Sequence, residues 1–237
     1  MKKILSIVII LFVVLMVIAM IFQTAPFLFL PSDQEDTNQK SNPSTTIISS
    51  SQNNNLKTMA ENNKKILMVV AFRDFKDEEY FIPKEILEKN GFLVETISDQ
   101  KGTAISVDGQ KIEIQKTPYE INPKDYAGVI FVGGPGMGER LDRIDFQDLA
   151  REFYGQGKLV SAICLAPALL AKADILNGKK ATVWSSANDH TAIEILIENG
   201  AIYQEVSVVR DGNLITADGP QSAEDFAQTI IDYLSNN

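Results

Sequence analysis

Cysteine, histidine and tryptophan each occur once in the 237 residues, at Cys164, His190 and Trp184. A single cysteine excludes an intrachain disulfide framework and any cysteine-rich zinc or iron–sulfur site, and a single histidine leaves no His-rich metal centre. We therefore expect neither a metal nor a cofactor. Basic residues are also in deficit, with 22 Lys and Arg against 31 Asp and Glu, for a formal net charge of −9. Beyond residue 60 the imbalance is 18 basic to 28 acidic residues, or −10. A surface that acidic repels phosphate backbones, so nucleic acid is not an expected partner. The glycine-rich run at residues 133–138 has no Lys-Ser or Lys-Thr after it, which argues against a phosphate-binding P-loop. Asn42 is followed by Pro43, so no glycosylation sequon forms there, and no cysteine follows the N-terminal apolar run, which excludes a lipoprotein anchor.

What is present divides into three parts. Lys2 and Lys3 precede an apolar run over residues 4–22, broken only by Ser6. About 19 residues suffice to cross the hydrocarbon core as a helix. The run exceeds the usual h-region of a signal peptide and the region around residues 23–26 makes a poor cleavage site. Residues 1–30 thus read as a single-pass transmembrane anchor, the alternative being a signal segment removed on secretion. Lys2 and Lys3 hold the N-terminus in the cytoplasm and place the rest outside. Residues 31–63 are mostly Ser, Thr, Asn, Gln and charge, the composition of a flexible linker. Residues 64–237 have the size of one globular domain.

Within that domain, continuous apolar runs alternate with helical spacing. Strands are expected at residues 65–71, 92–97, 126–132, 158–163 and 181–184, with a hairpin pairing 104–107 and 111–114 around Asp108-Gly109. A second pair, 206–210 with 214–217, turns at Asp211-Gly212. Helices are expected after the first strand, ending at Asn90-Gly91, and over 146–154, 166–173, 187–199 and 221–234. Such alternation implies an α/β fold with a mainly parallel sheet covered by helices on both faces. The crevice at the carboxyl ends of the strands is then the expected ligand site.

Chemistry-bearing residues cluster at strand ends. Cys164 lies where a strand meets a helix, in Ser161-Ala-Ile-Cys-Leu-Ala-Pro167, with Pro167 suited to a first helical turn. A thiol at the positive end of a helix dipole is expected to have a lowered pKa and to act as a nucleophile. The competing reading is a small buried hydrophobe in a tight turn. Gly133 and Gly134 end another strand, where glycine lets backbone N–H groups approach a reacting atom, or simply makes a turn. Asp77-Glu78-Glu79 precedes the first helix, and taken alone those acids complement its dipole. His190 falls at the start of a helix and reads as a surface residue. Trp184 ends a strand and either lines the crevice or fills the core.

Taken in order, Asp74-Phe-Lys-Asp-Glu-Glu79 with Pro83, Gly133-Gly134, Ala162-Ile-Cys-Leu-Ala-Pro167 and Asp211-Gly-Asn-Leu-Ile-Thr-Ala-Asp-Gly-Pro220 resemble the DJ-1/PfpI superfamily. The resemblance runs from residue 65 to the C-terminus. It implies a flavodoxin-like, class I glutamine amidotransferase-like fold and a tendency to form homodimers or larger assemblies. It also implies that Cys164 is the nucleophile, that Glu79 is the partner acid on its sulfur, and that the N–H groups of Gly134 and Leu165 are oxyanion donors. The peptidase-like branch has a histidine after the cysteine, where this chain has Leu165, and Ala166 stands where a glycine is common. Trp184 stands where the DJ-1-like branch often has a histidine, so a His-dependent peptidase is not expected. Three functions follow: a cofactor-independent hydrolase or glyoxalase/deglycase-like enzyme acting on small carbonyl adducts, a stress protein whose thiol is oxidised by peroxide, and a degenerate binding module.

Overall fold

The structure is a computed structural model that describes residues 64–236. The expected anchor and linker lie outside the described residues. Among the described residues, no helix is long and apolar enough to cross a membrane.

Strand β1 (Lys65–Val69) opens an apolar run in which residues 66–71 are fully buried. Continuous burial requires cover on both sides, and the period of two decides which residue meets which cover. Ile66, Met68 and Val70 join one core cluster, whereas Leu67 and Val69 join the other. The first cluster contains Phe75, Tyr80 and Leu87 from or beside helix α1 (Asp77–Lys89). It also takes in Phe226 and Ile230 from helix α6 (Ala223–Ser235). The second is filled from α2 (Pro135–Gly138), α3 (Ile144–Gly155), α4 (Ala166–Lys172) and α5 (Thr191–Glu198).

The main sheet contains β1, β3 (Leu93–Ile97), β6 (Gly128–Phe131), β7 (Leu159–Ile163), β10 (Val208–Asp211) and β11 (Leu214–Ala217). Its spatial order is β10-β11-β7-β6-β1-β3, parallel throughout except for β10, which runs antiparallel to β11. The chain moves from β1 outward to β3, then crosses back over β1 to β6. The reversal between β1 and β6 is a topological switch point, and it opens a crevice at the carboxyl ends of those strands. The expected flavodoxin-like architecture is thus present. The expected hairpin forms as β4 (Gly102–Ser106) and β5 (Lys111–Ile114). It builds a separate three-stranded sheet on β2 (Arg73–Phe75).

Three sequence expectations need correction. The strand at 181–184 shortens to β8 (Lys180–Ala181), which pairs with β9 (Ile202–Tyr203) outside the main sheet. Beyond Ala181 the backbone donors go elsewhere: Thr182 N–H donates to Thr216 Oγ1 and Trp184 N–H to the carbonyl of Cys164. The helix expected from residue 187 begins at Thr191, because Ser186 and Asp189 bridge across a tight loop and Asp189 accepts the Thr191 N–H. The acids 77–79 form the first turn of α1 rather than preceding it, and the helix continues through Pro83.

Candidate active site

Cys164 follows β7 with φ of +63°, one of three non-glycine residues with positive φ among the described residues. A left-handed cysteine persists only where its surroundings hold it. Both sides of its peptide unit are fixed, since its N–H donates to Ala217 O at 2.9 Å and its carbonyl accepts the Trp184 N–H at 3.0 Å. The segments after β7, β8 and β11 therefore converge on one residue, and Leu165 follows as the N-cap of α4.

Beside this turn lies Gly133, just beyond β6. A Cβ there would come within 2.6 Å of both Cys164 Cβ and Glu79 Oε2, and within 2.7 Å of Ile163 O. The missing side chain is the reason the carboxyl of Glu79 and the cysteine can occupy the same corner. Gly134, at φ +101°, lies equally tight against Asp74 O and Lys76 N, while Lys76 N–H donates to Gly133 O at 3.3 Å. Helix α1 is thereby held against the β6 turn, with Glu79 in its first turn and facing the sulfur. The spacing of acids around Pro83 leaves that direction open. It is set by the approach of α1 to β6.

Glu79 is fully shielded from solvent and, among the described residues, has no ion-pair partner, and neither carboxyl oxygen completes a well-formed hydrogen bond. Burial raises its pKa to about 7, against smaller opposing effects of the Cys164 thiol, the Gly133 N–H and the nearby Lys76 charge. The thiol itself, 7% exposed, is pushed upward by burial and by the negative charge of Glu79. The N–H groups of Gly134 and Leu165 both face the sulfur and act in the opposite direction. The lowered thiol pKa expected from the helix terminus is therefore overturned: α4 has only seven residues, and desolvation beside a carboxyl outweighs its dipole. Two acids this close titrate as a pair.

The sulfur opens onto a cavity of about 250 Å³. Its apolar walls are Pro135, Leu165, Trp184 and Pro220, and its polar lining is Lys76, Glu79, Gly134 and Cys164. Of the expected site residues, Glu79, Gly134, Cys164, Leu165 and Trp184 line it, whereas Gly133, expected in the lining, is absent from it and packs behind Cys164 and Glu79. Trp184 proves to be a wall of the crevice, and it also lines a second cavity of about 450 Å³ with Glu205, Asp218 and Asp225. Sequence reasoning missed Lys76, Pro135 and Pro220. The two prolines had a signal, each following a glycine at a strand end. His190 is the exposed N-cap of α5 and does not line the cysteine cavity. Among the described residues, no cluster of three or more His, Cys, Asp or Glu has the geometry to hold a metal ion.

The DJ-1/PfpI family model matches residues 64–233. The chain belongs to the DJ-1/PfpI family. A protein of Methanocaldococcus jannaschii described as uncharacterized is 45% identical over 174 residues, spanning 73% of this chain and 83% of its own. A deglycase of Pyrococcus horikoshii is 28% identical over 158 residues, covering 66% of this chain and 90% of its own. The crystal structure of a ThiJ/PfpI domain protein from Brachyspira murdochii superposes with a TM-score of 0.70 at 31% identity, over 73% of this chain and 98% of that one. The DJ-1/PfpI domain thus occupies nearly all of the described residues.

Proposed function

We propose that this DJ-1/PfpI domain is a cofactor-independent enzyme, glyoxalase- or deglycase-like, in which Cys164 attacks the carbonyl carbon of a small aldehyde or carbonyl adduct. The observation that carries the reading is Glu79: a carboxyl buried without a counter-ion, with a pKa raised to about 7, next to a thiol on the wall of a cavity. A base poised near the working pH is the effective kind. Ionised Glu79 takes the thiol proton as the sulfur forms its bond to the carbonyl carbon. The carbonyl electron pair moves to oxygen, and the N–H groups of Gly134 and Leu165, which face the sulfur, stabilise it. Glu79 then returns the proton to that oxygen, which balances the step as a neutral hemithioacetal. For a 2-oxoaldehyde, the proton on the sulfur-bearing carbon next moves through Glu79 to the neighbouring carbon, while the hydroxyl proton passes to the neighbouring oxygen and leaves a carbonyl behind. The resulting thioester is cleaved by water to a 2-hydroxy acid, restoring the thiol. One carbon is oxidised and the other reduced, so no external electron acceptor is required.

The size of the cavity supports small substrates over folded proteins. The Pyrococcus relative's name, deglycase, points the same way. A peroxide-sensing role receives less support, because sensor thiols are exposed and ionise readily, whereas this one is buried and its ionisation is opposed. In the same proposal, residues 4–22 tether the domain to the outer face of the cytoplasmic membrane. External protease treatment of intact cells should then release the domain, and its retention would remove the tether from the proposal. The enzymatic reading is tested by methylglyoxal consumption with the full-length chain. Turnover lost in Cys164→Ala supports it, and equal rates in the two proteins defeat it.

A further inference from the structure

The Gly134 N–H that faces the sulfur belongs to the N-cap of α2, a single turn of four residues. A helix that short has no stability of its own, so its seat must be fixed from outside. Its backbone lies directly on the β1–β2 connection: a Cβ on Gly136 would fall 1.8 Å from Arg73 O and 2.9 Å from Ala71 Cβ. The helix then stops, because Arg140 N–H donates to Met137 O at 2.9 Å instead of continuing to Gly136 O. That orphaned carbonyl accepts from the Arg140 side chain, with Nη1 at 2.8 Å. The same guanidinium places Nε 3.1 Å from Asp99 Oδ1, a charge contact without hydrogen-bond alignment. Asp99, in the turn after β3, accepts the Phe72 N–H at 3.1 Å and the Ser98 hydroxyl at 3.0 Å. Burial opposes its charge, but those donors and Arg140 hold its pKa below the usual carboxylate range. Arg143 adds a longer contact to Asp99, at 3.8 Å, while its closer partner is Asp145. The β1–β2 connection and α2 are thus packed against each other and tied a second time, through Phe72, Asp99 and Arg140.

We propose that Arg140 and Asp99 are positioning residues, clamping α2 onto the β1–β2 connection so that the Gly134 N–H points at Cys164. Neither side chain lines the cysteine cavity or acts on the sulfur, so both work through the backbone they hold. The catalytic consequence rests on the reading of Cys164 as the nucleophile and deepens it. The Leu165 N–H stands at the start of α4, outside the clamp. Loss of the clamp therefore removes one of two oxyanion donors and leaves the other. A buried ion pair is by itself weak evidence of stabilisation. This one joins the two segments whose separation would draw Gly134 away from the sulfur.

Steady-state methylglyoxal turnover and the pH profile of Cys164 alkylation by iodoacetamide, both with the full-length chain, test the clamp. The chain has one cysteine, so all thioether formed reports Cys164. In Arg140→Met, kcat should fall about a hundredfold, the low end for one oxyanion donor, with KM within about twofold of the wild type. The alkylation inflection should rise by about one pH unit, because the thiolate loses a charge-assisted hydrogen bond. The charged or titratable groups lining the cavity with the sulfur, Glu79 and Lys76, are untouched in that variant. Arg140→Lys, which keeps a cation for Asp99 and a donor for Gly136 O, should recover most of the loss. Asp99→Asn conserves shape and an acceptor for the Phe72 N–H, and should show both effects in smaller measure. It decides the question if Arg140→Met does not fold. Lowered thermal stability with kcat and the inflection unmoved would make the pair merely structural and overturn the proposal. If the wild type consumes no methylglyoxal, the enzymatic reading falls while the inflection still decides the clamp, a rise supporting it and no change overturning it.

Discussion

Two glutamates on neighbouring elements, Glu79 in α1 and Glu95 in β3, show how differently this fold treats the same side chain. Glu79 lies at the carboxyl end of the sheet, buried and without a cation of its own. Glu95 lies on the edge strand, where Lys65, Lys116 and Tyr126 all converge on its carboxylate. Burial opposes ionisation at both. At Glu95 the three donors outweigh it and hold the pKa at about 2, whereas at Glu79 nothing comparable answers and the pKa rises to about 7. The edge carboxylate is built to stay charged. The carboxyl beside the sulfur is built to gain and lose a proton near neutrality.

The largest expected effect separates the two in catalysis. Glu79→Gln should slow methylglyoxal turnover by about a hundredfold, the low end of what a positioned base contributes. Glu95→Gln should leave the rate within about twofold, and steady-state kinetics on the two variants would erase the contrast if both fell together.

Stability should separate them next, with opposite signs. A raised carboxyl pKa means that the folded state binds the proton more tightly, so this group costs stability as pH climbs from about 4.5 to 7 and beyond. Denaturant melts of Glu79→Gln should therefore show a gain of up to about 3 kcal/mol at pH 8 that disappears below pH 4.5. A lowered pKa works the other way: the contribution of Glu95 is fully present above about 4.5 and is lost as pH falls through 2. Screening at this part-exposed site reduces its size, and Glu95→Gln should cost about 1 kcal/mol at pH 7. An equal pH response in the two variants would break the comparison. The smallest effect belongs to His190→Ala, which should leave both turnover and its pH profile unaltered, because His190 is exposed and lies off the cavity.

The parallel sheet was legible because its central strands are unbroken apolar runs, and the glycines at Gly91 and Gly200 marked helix ends. Strand β2 was not, since Arg73 and Asp74 are exposed and the pairing of Arg73 and Phe75 with β4 is interrupted at Asp74, whose φ is +58°. The shortened β8 escaped for the converse reason: an apolar stretch spends its backbone donors on Thr216 and Cys164 rather than on a ladder. At the site, Cys164 and Gly133 carried local signals of a tight turn. Glu79 took its role from resemblance alone, since the direction of its side chain depends on how α1 meets β6. Lys76 had no signal beyond its charge. It joins the cavity through tertiary approach, as do the two prolines. The thiol's pKa was misread because position on a helix is visible in sequence and desolvation is not.

The pH dependence of Cys164 alkylation by iodoacetamide, measured in the wild-type chain and in Glu79→Gln, tests the coupling of carboxyl and thiol most directly. A rate that rises with an inflection near 7 in the wild type, and moves to higher pH once the carboxyl is gone, is the predicted result. A single inflection at the ordinary thiol value of about 8.5 in both proteins would contradict it.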